Sequence, residues 1–252
     1  MLKVRIIPTL LYRDFELAKG IRFDSWRRIG GVVQAVRVYN MRMVDELIFL
    51  DITATLQKRD PNFQIVDDLA DECFMPLTVG GGVRTIQDVQ RLLQVGADKV
   101  AMNTAGIEFP ELIKLVANKF GSQCAVVSID VKKSPNGKYS VYTHSGTQST
   151  DLDPIFVAKR AEEYGAGEIL LCSIDRDGTM EGYDIELIQQ VAQAISIPII
   201  ASGGAGNYEH MAQAVIEGGA SAVAAGSIFQ FTQQTPREAK LFLKEKGIPV
   251  RL

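Results

Sequence analysis

The sequence predicts a single (β/α)8 barrel, and two observations lead to this fold class. Eight short runs are apolar at nearly every position, which is typical of strands buried on both faces of a parallel sheet. These runs are residues 5–11, 46–52, 75–80, 99–103, 124–130, 168–174, 197–202 and 222–227. Amphipathic helical patterns alternate with them, over roughly 31–41, 61–73, 85–95, 109–119, 152–164, 184–194, 207–218 and 235–246. No glycine-rich dinucleotide turn follows the first run, which favours a closed barrel over an open doubly wound sheet.

Local signals support individual elements. In the third helical segment Ile86, Val89 and Leu92 recur at spacings of three, which places them on one face of a helix. Thr85 precedes this helix, with Asp88 three residues later, and the pair predicts a capping box. Residues 132–150 break the alternation, and their Pro-Asn-Gly followed by Tyr-Ser-Val-Tyr-Thr predicts a small hairpin inserted after the fifth strand.

An internal repeat divides the chain into two halves. Residues 76–104 and 198–227 align, so that Gly81 and Gly82 match Gly203 and Gly204. The repeat predicts two half-barrels of four strands each, covering about residues 1–122 and 123–252. No linker or low-complexity tract interrupts the sequence, so we treat residues 1–252 as a single domain.

Composition narrows the class of protein. The chain has 252 residues, 46% of them hydrophobic, and barrels of this kind often form one domain of about 250 residues. The net charge of −3 does not favour nucleic-acid binding. Cys73, Cys124 and Cys172 are too few and too scattered for a disulfide framework or a zinc site. No apolar run reaches 18 residues. We therefore expect a cytoplasmic protein with no membrane segment, no metal and no cofactor.

The glycine pairs indicate two anion sites. Barrel active sites lie at the carboxyl ends of the strands, and glycine there lets the backbone approach an anion closely. Each repeat ends its next strand with a residue that can begin a short helix, Thr104 or Ser227. Two sites facing each other across the barrel would suit a ligand with a phosphate at each end. The predicted phosphate-binding residues are Gly81, Gly82, Asn103, Thr104, Gly203, Gly204, Gly226 and Ser227.

Long motifs along the whole chain resemble one family, the cyclase subunit of imidazole glycerol phosphate synthase. The motifs are VGGGVR (79–84), GADKV (96–100), FGSQC (120–124), GAGEILL (165–171), DRDGTMEGYD (175–184) and IPIIASGGAGN (197–207). The resemblance implies a heterodimer with a glutaminase subunit, whose ammonia crosses the barrel to a doubly phosphorylated substrate at the opposite face. It also adds Asp177 and Gly178 to the phosphate-binding residues.

The resemblance fails at one catalytic position. The family uses two aspartates, at the ends of strands one and five, and the second matches Asp130. At the first, where the family pattern is roughly cysteine-leucine-aspartate, this chain has Leu11, with Thr9 at the cysteine position. Lys19 matches the mobile-loop lysine that reaches the substrate. Since a positioned acid or base typically contributes about 10²–10⁴-fold to a rate, we expect little cyclase activity.

A second set of matches lies at the opposite end of the barrel. Arg5, Glu46, Lys99 and Glu168 match the charged ring through which ammonia enters, and each stands at the start of a strand. Asp98 resembles a residue that docks the glutaminase. The ammonia route is therefore predicted to be intact, although the cyclase chemistry is predicted to be damaged.

Four functions are compatible with the sequence. The favoured one is a barrel that pairs with a glutaminase and channels ammonia for a separate sugar amidotransferase of surface-polysaccharide synthesis, a branch that this chain resembles. The second is a working cyclase of histidine biosynthesis that uses Asp130 alone or with Asp14 or Asp177. The third is a non-catalytic subunit that senses a phosphorylated metabolite. The weakest is the related two-phosphate isomerase, which needs both aspartates.

Overall fold

Eight parallel strands close into a barrel in the computed structural model, which describes residues 3–252. The strands in chain order are β1 (Arg5–Arg13), β2 (Glu16–Ile21), β3 (Asp24–Gly30), β4 (Leu47–Asp51), β5 (Leu77–Gly80), β6 (Lys99–Met102), β7 (Ala125–Lys133), β8 (Tyr139–Thr143), β9 (Gln148–Ser149), β10 (Glu168–Ser173), β11 (Ile199–Ser202) and β12 (Ala222–Ala225). The barrel closes because β1 pairs in parallel with both β4 and β12. The remaining neighbours are β4–β5, β5–β6, β6–β7, β7–β10, β10–β11 and β11–β12. The predicted fold class is confirmed.

Helices connect the barrel strands. They are α1 (Val32–Met41), α2 (Phe63–Ala70), α3 (Ile86–Gln94), α4 (Thr104–Glu108), α5 (Glu111–Phe120), α6 (Pro154–Glu163), α7 (Ile185–Ala192), α8 (Tyr208–Ile216), α9 (Ser227–Phe231) and α10 (Pro236–Glu245). Each predicted helical segment overlaps one of them, and α4 and α9 begin at the predicted residues. The capping box of α3 is present, with the Thr85 side chain accepting from Asp88 N at 3.2 Å. No helix in the described part of the chain is long and apolar enough to cross a membrane.

Each half-barrel carries an antiparallel extension after its first strand. The predicted hairpin after the fifth barrel strand is confirmed, because β8 pairs antiparallel with β7 and β9 pairs with β8. The sequence analysis missed the matching hairpin of β2 and β3, which extends β1. Most residues of β3 are exposed, so this strand lacks the apolar pattern by which the others were found.

The barrel interior is a small apolar layer. Seven of the eight barrel strands contribute inward-facing side chains to it, and β12 contributes two at alternate positions, since successive side chains in a strand point to opposite faces. The layer consists of Ile7, Ile48, Ala101, Val126, Leu170, Ile200, Ala222 and Ala224. A second and larger core lies between the strands and the helices. The inner layer separates the two ends of the barrel.

A buried ion pair attaches the last helix to the barrel. Lys240 of α10 places its Nζ atom 2.7 Å from Asp45 Oδ1 and 2.9 Å from the carbonyl oxygen of Met43. The other carboxylate oxygen, Asp45 Oδ2, accepts from the backbone N–H of Ile6 in β1. Lys240 and Asp45 are only 4% and 7% exposed, so each charge depends on the other.

Replacing Lys240 with methionine should destabilise the fold by about 3–5 kcal/mol, because Asp45 keeps a buried charge without its counterion. The measurement is the free energy of unfolding in urea. The matched control is Lys246→Met, which breaks the exposed ion pair with Glu209 and should cost less than about 1 kcal/mol. Equal losses in the two variants would contradict this account.

Candidate active site

One cavity at the carboxyl ends of the barrel strands collects the predicted site residues. The residues from the sequence analysis that line it are Leu11, Lys19, Gly81, Gly82, Asn103, Thr104, Asp130, Asp177, Gly178, Gly203, Gly204, Gly226 and Ser227. They come from both half-barrels and from both hairpin-bearing strands. The closed sheet brings them together because parallel strands end on the same side of the barrel. Their roles in binding phosphate stay predictions.

The two glycine pairs have positive φ angles. Gly81 and Gly82 have φ angles of 106° and 75°, and Gly203 and Gly204 have 87° and 112°. Residues with a side chain rarely adopt φ angles in this range. A Cβ atom on Gly81 would also lie 2.1 Å from the Asp51 carbonyl oxygen. Glycine is therefore required here by the backbone and by the packing of neighbouring loops, in addition to any bound anion.

Asn103 and Thr104 are held by protein hydrogen bonds. The Asn103 side chain donates to the carbonyl oxygens of Ser128 and Tyr142, both at 3.1 Å. The Thr104 hydroxyl accepts from the backbone N–H of His144 at 3.0 Å. These contacts join the loop after β6 to β7 and to the β8–β9 turn. The side chains of Asn103 and Thr104 are therefore already hydrogen-bonded within the protein.

Lys19 and Asp177 form a buried ion pair in the cavity. The hairpin strand β2 carries Lys19 inward, and its Nζ atom lies 2.8 and 2.7 Å from the two carboxylate oxygens of Asp177. The side chains are 5% and 11% exposed. A backbone bond from Arg22 N to the Asp177 carbonyl oxygen at 2.7 Å adds a second contact. The β2–β3 hairpin is thus fastened to the loop after β10.

Asp130 is a buried carboxyl group that can exchange a proton near neutral pH. Burial raises the pKa of Asp130 to about 7, the negative charge of Asp177 adds to the rise, and a hydrogen bond from Ser128 opposes it. Asp130 lies on β7, directly opposite Cys172 of β10. The same environment raises the pKa of the buried Cys172 thiol, chiefly through burial. A carboxyl group with such a pKa is suited to general acid–base chemistry.

Leu11 forms an apolar wall of the same cavity. It is 8% exposed and lies in register with Leu50 of β4 and Ala18 of β2. Asp14, three residues later, lies in the turn between β1 and β2, where its 55% exposed carboxylate pairs with Arg13. Asp14 therefore does not replace the missing carboxylate. Asp14 and Asp177 are the two residues that the sequence offers to assist Asp130 in catalysis. The structure places Asp177 in the cavity and Asp14 outside it.

Sequence analysis missed Asp51, another buried carboxylate of the cavity. It ends β4, is 6% exposed, and accepts bonds from the backbone N–H groups of Thr53 and Ala54 at 3.1 Å. Its other oxygen lies 2.7 Å from Nη1 of Arg59. The sequence signal for Asp51 is an acidic residue at the end of an apolar run, and Asp130 has the same signal. The side-chain partners show that Asp51 holds the loop after β4.

The four predicted ring residues form a closed cycle of ion pairs at the amino-terminal end of the barrel. Arg5 pairs with Glu46 at 2.7 Å and with Glu168 at 2.6 Å. Lys99 pairs with the same two carboxylates, at 3.0 and 2.9 Å. Glu46 is only 2% exposed and also accepts from the Thr78 hydroxyl at 2.8 Å. Alternating charges therefore close this end of the barrel.

Asp98 lies beside the ring, on the surface. Its side chain is exposed, and Oδ2 accepts from the backbone N–H of Leu77 at 2.8 Å. This bond holds the start of β5. Its predicted part in docking a glutaminase stays a prediction.

The fold and the cavity define a (β/α)8 barrel of the kind that places its ligands at the carboxyl ends of the strands. A family model described as histidine biosynthesis protein matches residues 5–235. The chain belongs to this family. The match includes all eight barrel strands and every predicted site residue.

Replacing Asp130 with asparagine should stabilise the fold at pH 8 by up to about 4 kcal/mol, since a pKa difference of one unit corresponds to about 1.4 kcal/mol. The pKa of Asp130 is raised in the folded state, so its ionisation weakens the fold. That cost is absent below the unfolded-state pKa near 4, grows as the pH rises, and is complete above about 7. Urea unfolding at pH 4.5 and pH 8 measures it.

The matched control is Asp177→Asn, which leaves the buried Lys19 ammonium without its carboxylate. This variant should lose stability at pH 8, whereas Asp130→Asn gains it. A gain for Asp130→Asn of the same size at both pH values would rule out ionisation of Asp130 as the cause.

Proposed function

We propose that this chain is the barrel subunit of an ammonia-channelling pair. A glutaminase would bind at the amino-terminal face, and ammonia would leave through the cavity toward a separate amidotransferase that modifies a sugar of a surface polysaccharide. The observation that carries the proposal is the contrast between the two ends of the barrel. The charged ring of Arg5, Glu46, Lys99 and Glu168 is complete, whereas Leu11 stands where the cyclases have a catalytic aspartate.

The interior supports passage of a small neutral molecule. Above the ring lies an apolar layer with three alanines, Ala101, Ala222 and Ala224. Such a layer tolerates ammonia but opposes ammonium, because burying an unpaired charge is costly. Two of these alanines, Ala101 and Ala224, also line the cavity. Ammonia that passes the ring would therefore arrive beside Asp130 and Lys19.

The cavity supports a phosphorylated small molecule as ligand. Lys19 supplies a buried positive charge, and the glycine loops after β5 and β11 leave backbone close to the cavity. The carboxylate of Asp177 now neutralises Lys19, so a phosphate would compete with it for the ammonium group. In this proposal the ligand binds without being cyclised.

A working cyclase is the second candidate, favoured by the position of Asp130. The raised pKa of this carboxyl group lets one residue both donate and accept a proton near neutral pH. In that case the chain would make imidazole glycerol phosphate and aminoimidazole carboxamide ribotide from the ribulosyl intermediate. The rate of cyclase turnover separates the two candidates.

The purified chain, given the ribulosyl intermediate and saturating ammonium at alkaline pH, should turn over at least about 10²-fold more slowly than an active cyclase. External ammonium removes the need for a glutaminase, so only the chemistry of the barrel is measured. Leu11→Asp should raise the rate by restoring the second carboxyl group. The control Leu11→Asn has the same shape but no titratable group and should not. A wild-type rate equal to that of an active cyclase, abolished by Asp130→Asn, would favour the second candidate.

A glutaminase of the kind that pairs with these cyclases should bind the chain, and Asp98→Asn should weaken that binding by roughly tenfold through the lost charge. Asparagine retains an oxygen that can accept the bond from Leu77 N, so the fold is preserved. The matched control is Asp151→Asn, an exposed aspartate after β9. Calorimetric titration measures both affinities. Unchanged affinity for Asp98→Asn would remove this residue from the docking surface.

A further inference from the structure

Phe15 is an aromatic side chain that the fold leaves in solvent. It is 85% exposed, and among the large apolar residues of the described part of the chain only Phe74, at 86%, is more exposed. Asp14 and Phe15 form the two-residue turn between β1 and β2, and Arg13 pairs with Glu16 at its base. Phe15 therefore projects from the carboxyl-terminal rim of the barrel and makes little contact with its own chain.

The backbone of this turn does not favour a phenylalanine. Asp14 and Phe15 have φ angles of 48° and 75°. Hairpin turns with two positive φ angles usually have glycine at the second position, because a bulky side chain is strained there. The exposed ring thus works against the conformation of the turn and adds little packing within the chain. Strain of this kind together with an exposed apolar ring points to a contact outside the single chain.

A pocket opens beside Phe15 on the same surface. It has a volume of about 320 Å³ and lies between the β1–β2 turn and the loop after β4. Its walls expose mainly apolar surface, although they come from the residues Tyr12, Asp14, Phe15, Gln57, Arg59, Asp60 and Asn62. Leu56, which precedes Gln57 in that loop, is 48% exposed and adds to this apolar surface. The rim therefore combines a projecting ring with a pocket large enough to receive one.

A projecting ring that adjoins its own pocket is complementary to a second copy of the same surface. When two copies face each other across a two-fold axis, the Phe15 ring of each copy meets the pocket of the other. Such a contact is the same from both sides, so it closes at two subunits. A pocket elsewhere on the molecule would instead lead to an open chain of subunits.

The charges beside the pocket also suit a second copy. Arg13 and Asp14 are neighbours on the turn, and their side chains are 38% and 55% exposed. A two-fold axis beside the turn sets Arg13 of one copy against Asp14 of the other, so that opposite charges meet twice. Arg59 and Asp60 of the pocket wall likewise carry one charge of each sign. These four residues have no net charge, so two copies of the surface do not repel each other.

We propose that the chain forms a two-fold symmetric dimer in which Phe15 of each copy inserts into the pocket beside Phe15 of the other. The contact lies at the carboxyl-terminal rim and leaves the charged ring at the opposite end of the barrel uncovered. It also adjoins the cavity, because Arg59 of the pocket wall forms an ion pair with the cavity residue Asp51. The dimer therefore brings the mouths of two cavities close to each other.

Sedimentation velocity at protein concentrations from about 1 µM to about 200 µM tests the dimer. The wild-type chain should change from monomer to dimer within this range, as expected of a small interface. Phe15→Gly should remain monomeric at every concentration. The matched control is Phe74→Gly, which removes an equally exposed ring that precedes β5 and should keep the dimer.

The melting temperature separates the proposed contact from a role of Phe15 in the fold. Glycine relieves the strained φ angle, so Phe15→Gly should leave Tm unchanged or raise it by a few degrees. Tm is measured at a concentration at which the wild-type chain is monomeric, so that dissociation does not contribute. A lower Tm together with loss of the dimer would assign Phe15 to the fold of the single chain and overturn the proposal.

Charge reversal tests the two-fold arrangement. Arg13→Asp and Asp14→Arg each set like charges against each other across the axis and should weaken the dimer by roughly tenfold. The double variant restores opposite charges and should recover most of the affinity. A dimer that survives Phe15→Gly and is lost in Phe74→Gly would overturn the proposal. So would a wild-type chain that stays monomeric at every concentration, and Phe15 would then have to contact a different protein.

Discussion

Closure of the sheet through β1 is the constraint on which the rest of the structure depends. This strand pairs with β4 along one edge and with β12 along the other. Because all barrel strands are parallel, closure gathers their carboxyl ends around one cavity and their amino ends around one ring. Residues as distant in sequence as Lys19 and Asp177 are thereby within hydrogen-bond distance. The same closure buries the apolar layer that separates the two ends.

The two ends use charge in different ways. At the amino-terminal end, Arg5, Glu46, Lys99 and Glu168 neutralise one another in a closed cycle. At the carboxyl end, Lys19 neutralises Asp177. The neighbouring Asp130 has no such partner within residues 3–252, and burial raises its pKa. A balanced ring is suited to a closed entrance that can open. A buried carboxyl group without a counterion is suited to proton exchange or to binding a ligand.

Leu11 makes one wall of the cavity apolar. Its side chain is in register with Leu50 and stands where the resemblance to the cyclases predicts an aspartate. Thr9, two positions back on β1, also lines the cavity, and its buried hydroxyl has no hydrogen-bond partner within residues 3–252. The cavity thus combines an apolar wall with the buried ion pair of Lys19 and Asp177.

The sequence by itself determined the barrel and several residues of the cavity, among them the two glycine pairs, Lys19, Asp130 and Asp177. Buried parallel strands are apolar at nearly every position, and motifs at the carboxyl ends of parallel strands lie at one end of the barrel. Local sequence patterns are therefore enough to predict the barrel and the position of its site. The tertiary structure alone decided the β2–β3 hairpin, the pairing of Lys19 with Asp177 and the loop-holding role of Asp51. The strand β3 is mostly exposed and has no apolar period. The partners of a buried charge depend on contacts between segments distant in sequence, which no local pattern records.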